Sequence, residues 1–291
     1  MGFTTNKSRG INHLVLPLFY KLANTSVVTL NTEENKLDKR FIFNEDVENY
    51  DKWRPTYCDE LFKDILNYSQ VKYGKKVIEI GIGTGQATKP FLDKGCELTA
   101  VELGKDLANY TKLKFQEYEN FKVHNSAFED FEGQNESIDL IYSATAFHWI
   151  PEDKGYSKVS KLLKKDGTMA LFWNRPFVSR DNDELHKQIQ CIYQKYRPSN
   201  TKIIENDTKK YNNRIKTIES YGFRDVVFKL YHLTRIFSSN DYIELLNTYS
   251  DHRGLSYNTK IMLEKEIREA IMDFGDKLKV YDTIDLYLAR K

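Results

Sequence analysis

Apolar and polar positions change rhythm repeatedly along this chain. An apolar run over residues 76–80 stops abruptly at glycines placed at 81, 83 and 85, and residues 86–94 after them are compatible with a helix. This is the pattern of a strand, a tight turn and a helix N-terminus. Beyond it, short apolar runs at 98–101, 122–124, 137–143 and 168–173 read as strands. Segments of helical spacing at 106–119 and 154–165 separate them, and 182–196 and 212–221 follow, the last stopped by Gly222. Residues 226–233 and 282–289 alternate in the period of two expected of strands, with Phe228, Leu230 and His232 on one side of the first and Ile284, Leu286 and Leu288 aligned in the second. Between these two lie helical segments at 239–249 and 259–274, the first capped by Ser239 or Asn240. Upstream, 46–67 reads as helical with a break at Pro55. Strands alternating with helices predict an α/β fold whose mostly parallel sheet is covered on both faces.

The glycine turn carries the first chemistry. Glycine lacks Cβ, so the backbone bends sharply there and lets a ligand lie close. The dinucleotide pattern G-x-G-x-x-G needs a third glycine where this chain has Gln86, and Glu79 stands two residues before Gly81. A carboxylate at that point repels a pyrophosphate and suits a ligand with an ammonium group. Nicotinamide cofactors are therefore disfavoured and S-adenosylmethionine is favoured.

Glu79-Ile80-Gly81-Ile82-Gly83-Thr84-Gly85 resembles the first motif of the class I S-adenosylmethionine-dependent methyltransferases. The resemblance runs from about residue 41 to the C-terminus. It implies a Rossmann-like fold, a seven-stranded, mostly parallel sheet with an antiparallel last strand, and a helical insertion between strands six and seven. Glu102 ends the second strand about twenty residues past the turn, where a carboxylate accepts ribose hydroxyls. Leu103 adjoins it. Residues 125–129 fall where the family places its adenine contacts, which gives that role to Ala127 and Phe128, with Ser126 standing where many relatives carry an acid. Ser143 ends the fourth strand. The segment from Phe43 through Tyr50 to Tyr57, and Ala146-Phe147-His148-Trp149-Ile150, resemble the small-molecule branch that includes trans-aconitate-type enzymes.

From that resemblance follow the site expectations. Glu79, Gly81, Gly83, Gly85, Glu102, Leu103, Ala127, Phe128, Ser143, Tyr50 and Arg54 hold the cofactor, S-adenosyl-L-methionine, which leaves as S-adenosyl-L-homocysteine. Glu79 faces the methionine ammonium or orients turn amides, and Arg54 pairs with the cofactor carboxylate. Phe147, Trp149, Asn174 and Arg175 line the substrate pocket at the carboxyl edge of the sheet, and Trp149 either covers adenine or walls the methyl-transfer site. His148 is the candidate general base. A carboxylate acceptor needs no base; a phenol or amine benefits from one. Whether oxygen, nitrogen or carbon is methylated stays open. So does the alternative of a nucleic-acid or protein methyltransferase, or of a non-catalytic cofactor-binding protein.

Composition narrows this. Forty-four basic and 42 acidic side chains leave a net charge of +2, no footprint for nucleic acid or an anionic membrane, and Lys209-Lys210 is too short a run to make one. The partner expected is a small-molecule substrate. Cys58, Cys96 and Cys191 are scattered, which argues against a structural metal and for a reducing, cytoplasmic setting. Residues 1–40 read as an extension ahead of a methyltransferase domain at 41–291, with residues 238–278 as the insertion and a possible substrate lid. The apolar stretch 14–20 is broken by Pro17 and far shorter than the ~20 residues a membrane span needs. Oligomeric state is undetermined.

Overall fold

The computed structural model describes residues 46–177, 183–199, 205 and 207–291; the N-terminal extension and the start of the Phe43–Tyr57 resemblance lie outside them. Two helices, α1 (Val47–Trp53) and α2 (Asp59–Ser69), precede the first strand. Then follow β1 (Lys76–Ile80), α3 (Lys89–Leu92), β2 (Glu97–Glu102), α4 (Lys105–Lys114), β3 (Phe121–Asn125), β4 (Ile138–Ala144), α5 (Glu152–Leu162), β5 (Leu163–Phe177), α6 (Glu184–Tyr196), α7 (Thr208–Ser220) and β6 (Arg224–Phe237). Helices α8 (Ser239–Asn247), α9 (Ser250–Arg253) and α10 (Tyr257–Asp273) lead to β7 (Leu278–Arg290).

The strands form one seven-stranded sheet in the order β3-β2-β1-β4-β5-β7-β6. β1 to β5 pair in parallel, and β7 runs antiparallel to both β5 and β6. The expected Rossmann-like sheet with an antiparallel last strand is what forms. The order reverses between β1 and β4, and open sheets of this kind bind ligands at the carboxyl ends beside that reversal.

Alternation along the strands divides the core. Val77, Leu140, Phe172, Ile284 and Leu286 face α2 and α3, while Ile78, Ile141, Leu171, Trp173 and Tyr287 face α5 and α7. A third apolar cluster joins α6, α8 and α10 to the ends of β6 and β7 through Phe237, Leu278 and Val280. The insertion is therefore packed onto the sheet margin and shares its core.

Three local expectations are corrected. Residues 86–94 are not one helix; consecutive turns fill 83–88 and only Lys89–Leu92 is helical. Gly85 at φ 84° forces the chain out of the helical region, and Pro90 then starts the short helix, where its missing N–H costs nothing. The helix expected over 106–119 ends at Lys114, before Phe115 turns its ring toward Phe121 and Gly85. The cap of α8 is Ser238, whose Oγ accepts from Asp241 N at 3.1 Å, because Ser238 is the extended residue three positions before that amide.

Two ion pairs on β7 fix its neighbours. Arg175 on β5 binds Asp285 through Nε at 2.7 Å and Nη2 at 2.9 Å, and Arg235 on β6 grips both oxygens of Asp282. Asp285 is fully buried and Arg175 only 11% exposed. Asp285→Ala strands a buried guanidinium and is expected to cost about 3–5 kcal/mol in urea unfolding. Replacing both partners with apolar residues of similar volume should cost far less. Equal losses would show that the pair's charges are already solvated.

Candidate functional site

The glycine turn is built from inside the protein. Gly81, Gly83 and Gly85 all have positive φ, at 68°, 57° and 84°. A Cβ at Gly85 would lie 2.4 Å from the Phe115 ring, so glycine there serves packing as well as conformation. At Gly83 a Cβ would meet the Tyr50 side chain at 3.5 Å and Gln86 Oε1 at 3.9 Å, both ordinary contacts. That position is bounded by Tyr50 from α1.

Glu102 holds the turn in place. Its Oε2 accepts from Gly83 N at 2.9 Å and its Oε1 from Gly104 N at 2.8 Å. Burial pushes this carboxyl up, and the amides of Gly104, Gly83 and Leu103 oppose the rise. Its two oxygens offer four lone pairs, so after these three amides one remains for a hydroxyl. Asn125 Nδ2 bridges the carbonyls of Glu102 and Leu103 at 2.9 Å each, fixing the strand end.

Glu79 is 1% exposed. Its Oε2 accepts from the hydroxyls of Thr88 and Tyr142, both at 2.7 Å, two partners that sequence pattern did not reveal because they come from α3's approach and from β4. Burial pushes the carboxyl up to about 8; the two hydroxyls oppose this and the nearby Glu102 adds to it. No turn amide bonds Glu79 among the described residues' hydrogen bonds; its contacts are hydroxyls.

On the far side of Glu102 lie residues 125–129. Ser126 N donates to Glu102 O at 3.0 Å, while its Oγ is buried with no hydrogen-bond partner among the described residues. Ala127 is half-buried and its carbonyl closes a turn on Asp130 and Phe131, and Phe128 is a core residue. Ser143 is buried and its Oγ donates to Ile80 O at 2.9 Å, tying β4 to β1.

Arg54 lies between two aromatic rings, 4.6 Å from the Tyr50 centroid and 4.7 Å from that of Tyr249, and its Nη2 donates to Thr248 O at 2.6 Å. It clasps α1 to the insertion at the side of the turn where Tyr50 stands.

The segment after β4 divides sharply. Thr145 takes φ 56°, a conformation rare for a β-branched residue and often found at functional sites. Its Oγ1 meets Tyr57 OH at 2.8 Å and accepts from Asn174 N at 3.1 Å. Asn174, 6% exposed, has both polar atoms of its side-chain amide buried without a partner among the described residues. Phe147 points inward, edge-on to Tyr156 at 5.0 Å, and is core rather than pocket wall. Trp149 is half-buried, 5.1 Å from the His148 ring. His148 Nδ1 accepts from Trp173 Nε1 at 3.0 Å.

Several cations act on this histidine. Burial lowers its pKa to about 3, and Arg214, Arg175, Lys210 and Arg54 add to that in this order. Arg214 lies 3.7 Å over the Trp173 ring, and Lys210 is itself pushed down to about 8 by burial and by Arg175 and Arg214. With Nδ1 already accepting from Trp173 and its proton affinity lowered, this imidazole is a poor fit to the expected general base. Sequence reading found Arg175 but missed Arg214 and gave Lys210 no role, since α7 reaches the site only through the fold. Among the described residues no His, Cys, Asp and Glu group could hold a metal, and no helix is long and apolar enough to cross a membrane.

Glu79 gives the site a pH signature. The folded protein keeps this proton to about pH 8, whereas an unfolded glutamate releases it near 4.5. Between those values the folded state binds more protons, so stability from this group is full below 4.5 and falls as pH rises through 8. Urea midpoints of the wild type are expected to drop over this window, and those of Glu79→Gln to drop less. Parallel declines would assign the slope to other groups.

The chain matches a family model described as "Methyltransferase domain" over residues 77–167, from β1 through the start of β5. It is 31% identical over 152 residues to an uncharacterized methyltransferase of Geobacillus sp. strain WCH70, covering 51% of this chain and 68% of that one. It is 23% identical over 231 residues to an uncharacterized methyltransferase of Schizosaccharomyces pombe, covering 79% and 86%. In fold it is similar to the YcgJ protein of Bacillus subtilis, with a TM-score of 0.51 and 14% identity over 80% of this chain and 99% of the other. With its glycine turn, its acidic strand ends and these relatives, the chain belongs to the class I S-adenosylmethionine-dependent methyltransferases.

Proposed function

We propose that the protein transfers the methyl group of S-adenosylmethionine to a small-molecule acceptor bound at the carboxyl edge of the sheet, in the manner of the trans-aconitate-type branch. The observation that carries this is the Asn174 amide, buried and unpartnered among the described residues beside the strained Thr145. A polar group left so costs about 1–3 kcal/mol, which a bound ligand would recover. The net charge of +2 gives no electrostatic footprint for nucleic acid, and Arg214 lies within the fold over Trp173, with Lys210 in its field. The three free cysteines support a cytoplasmic location.

The residues fit the cofactor. Glu102 retains a lone pair for a ribose hydroxyl, Gly83 has no Cβ to keep a ligand from the turn backbone, and the buried Ser126 Oγ has no partner among the described residues where adenine would lie. An ammonium bound beside Glu79 would oppose the burial that raises this carboxyl's pKa and favour its ionised form. Bound S-adenosylmethionine supplies a methyl group already activated on a sulfonium. The chain's contribution is to orient the acceptor and exclude water, and orientation alone is worth on the order of 7–11 kcal/mol. Arg54 and Tyr50 form the wall between the cofactor side and the insertion.

Calorimetric titration with S-adenosylhomocysteine, with NAD as control, tests this directly. Micromolar binding of the first alone is expected, followed by methylation in a screen of carboxylates, phenols and amines. Binding without turnover on any soluble acceptor would favour a macromolecular substrate or a non-catalytic role. Glu102→Ala should weaken S-adenosylhomocysteine binding by about 1–3 kcal/mol. Unchanged affinity would remove Glu102 from the cofactor site.

A further inference from the structure

We propose that Asn174, His186 and Gln190 form one uncharged subsite, which binds the methyl acceptor through neutral hydroxyl or carboxamide groups. This rests on the methyltransferase reading above and adds the chemistry of the acceptor's bound portion.

Unmet hydrogen bonding picks these residues out. Among the described residues, they are the three side chains that bury two polar atoms each with no partner for either. They are 6%, 1% and 7% exposed. All three fall within residues 174–190, at the end of β5 and on α6. Buried polar atoms are nearly always paired, so three such side chains on consecutive elements point to one shared ligand.

The fold places them at one edge of the sheet. Phe177, the last residue of β5, stacks on the His186 ring with centroids 6.5 Å apart. Leu185 and Ile189, beside it on α6, join the apolar cluster that holds Leu278 and Val280 at the start of β7. Phe177 pairs with Tyr281 and Asn174 with Ile284, so α6 lies where β5 ends and β7 begins. From Asn174 to Phe177 is about 10 Å of strand. Asn174 N in turn donates to Thr145, the residue before Ala146, which approaches Gly81 of the glycine turn.

The face of α6 shows which part is left for a ligand. His186, Gln190, Tyr193 and Arg197 follow one another at helical spacing. Helix α9 fills the second half of this stripe: Tyr193 OH meets His252 Nε2 at 3.1 Å, and Arg197 Nη2 binds Asp251 Oδ2 at 2.9 Å. The half beside Phe177 has no such partner among the described residues.

This half is also neutral. Asn174 and Gln190 each offer a carbonyl oxygen and an NH2 group. Burial pushes the His186 pKa down and Asp183 opposes it, so the ring is uncharged near neutrality. Asp183 itself caps α6 by accepting the His186 amide. Ionised groups on the adjoining strands are engaged with each other, Arg175 with Asp285 and Arg235 with Asp282. An ion buried against two amides and an imidazole gives up its hydration and receives no opposite charge from them. A hydroxyl or a carboxamide both donates and accepts, and so meets amide and imidazole alike.

Apolar replacement separates a ligand subsite from a structural role. Exchanging an unsatisfied buried group for an apolar one of similar shape does not destabilise the free protein. His186→Phe and Gln190→Met are therefore expected to hold or raise the urea midpoint. Each should weaken binding of acetamide, the probe, by about tenfold. Binding is read on the whole 15N-labelled chain saturated with S-adenosylhomocysteine, from the side-chain amide signals of Asn174 and Gln190. Asn174→Leu and Gln190→Met identify those signals by their disappearance. Acetamide should shift them, and acetate and methylammonium should not. A lower midpoint in either His186→Phe or Gln190→Met would show that water or packing already satisfies these atoms, and would overturn the proposal. Amide signals that ignore acetamide, or follow acetate as closely, would overturn it too. Failure of S-adenosylhomocysteine to bind the wild type, read separately by calorimetry, would instead sink the methyltransferase reading, and the acetamide shifts would still report on the subsite.

Discussion

One buried carboxylate, that of Glu102, joins the end of β2 to the glycine turn after β1. The turn has no long helix behind it to hold its shape, since α3 spans only Lys89–Leu92. Its amides would otherwise have to find partners one by one. Glu102 takes the Gly83 amide on one oxygen and Gly104 on the other, so two adjacent loops share a single anchor. The cost is visible in its raised pKa, and the three opposing amides show what offsets it. With the loops fixed, the close approach of Gly81 to Ala146 and the Thr145 contacts with Tyr57 and Asn174 bring the β4 edge against the same turn.

Ionisable groups are divided across that edge. The acids Glu79 and Glu102 stand at the ends of β1 and β2, and the cations Arg175, Lys210 and Arg214 gather near the end of β5 and on α7. On the proposed reading, the ribose hydroxyls of the cofactor belong with Glu102, which already takes the turn amides. Trp173 sits on the cationic side and orients His148. Burial is the largest cause of the raised pKa of Glu79 and of the lowered ones of His148 and Lys210, and neighbouring groups of like charge add to each.

The strands were legible because their alternation is enforced by burial on both faces. Val77 and Ile78 feed different core clusters, as do Leu286 and Tyr287, and such residues leave a pattern of period two whatever lies around them. The first acidic and glycine positions were legible because they are contiguous or set at a fixed spacing. What stayed hidden was assembled across long separations. Thr88 and Tyr142 reach Glu79 from different elements, and Arg214 reaches Trp173 from a helix over forty residues on. Phe147 read as pocket wall because it neighbours His148, yet the short helix Phe147–Trp149 rotates it inward against Tyr156. Helical spacing after Gly85 was real, but a positive φ cannot be continued as a helix, so turns replaced the first helical turn.

Arg54 shows why the insertion bears on chemistry despite lying outside the sheet's parallel half. Its guanidinium is stacked between Tyr50, which borders Gly83, and Tyr249, which follows α8, and it donates to the Thr248 carbonyl. Asn49 Nδ2 adds a bond to Glu244 O at 3.4 Å, so α1 and α8 are joined at two points. The insertion in turn shares its apolar core with the ends of β6 and β7. Displacing α8 therefore requires unstacking a cation from two rings, each contact worth about 0.5–2 kcal/mol when desolvated, and losing a hydrogen bond to a charged donor. The wall beside the glycine turn is held by the same contacts that hold the insertion, and the two move together or not at all.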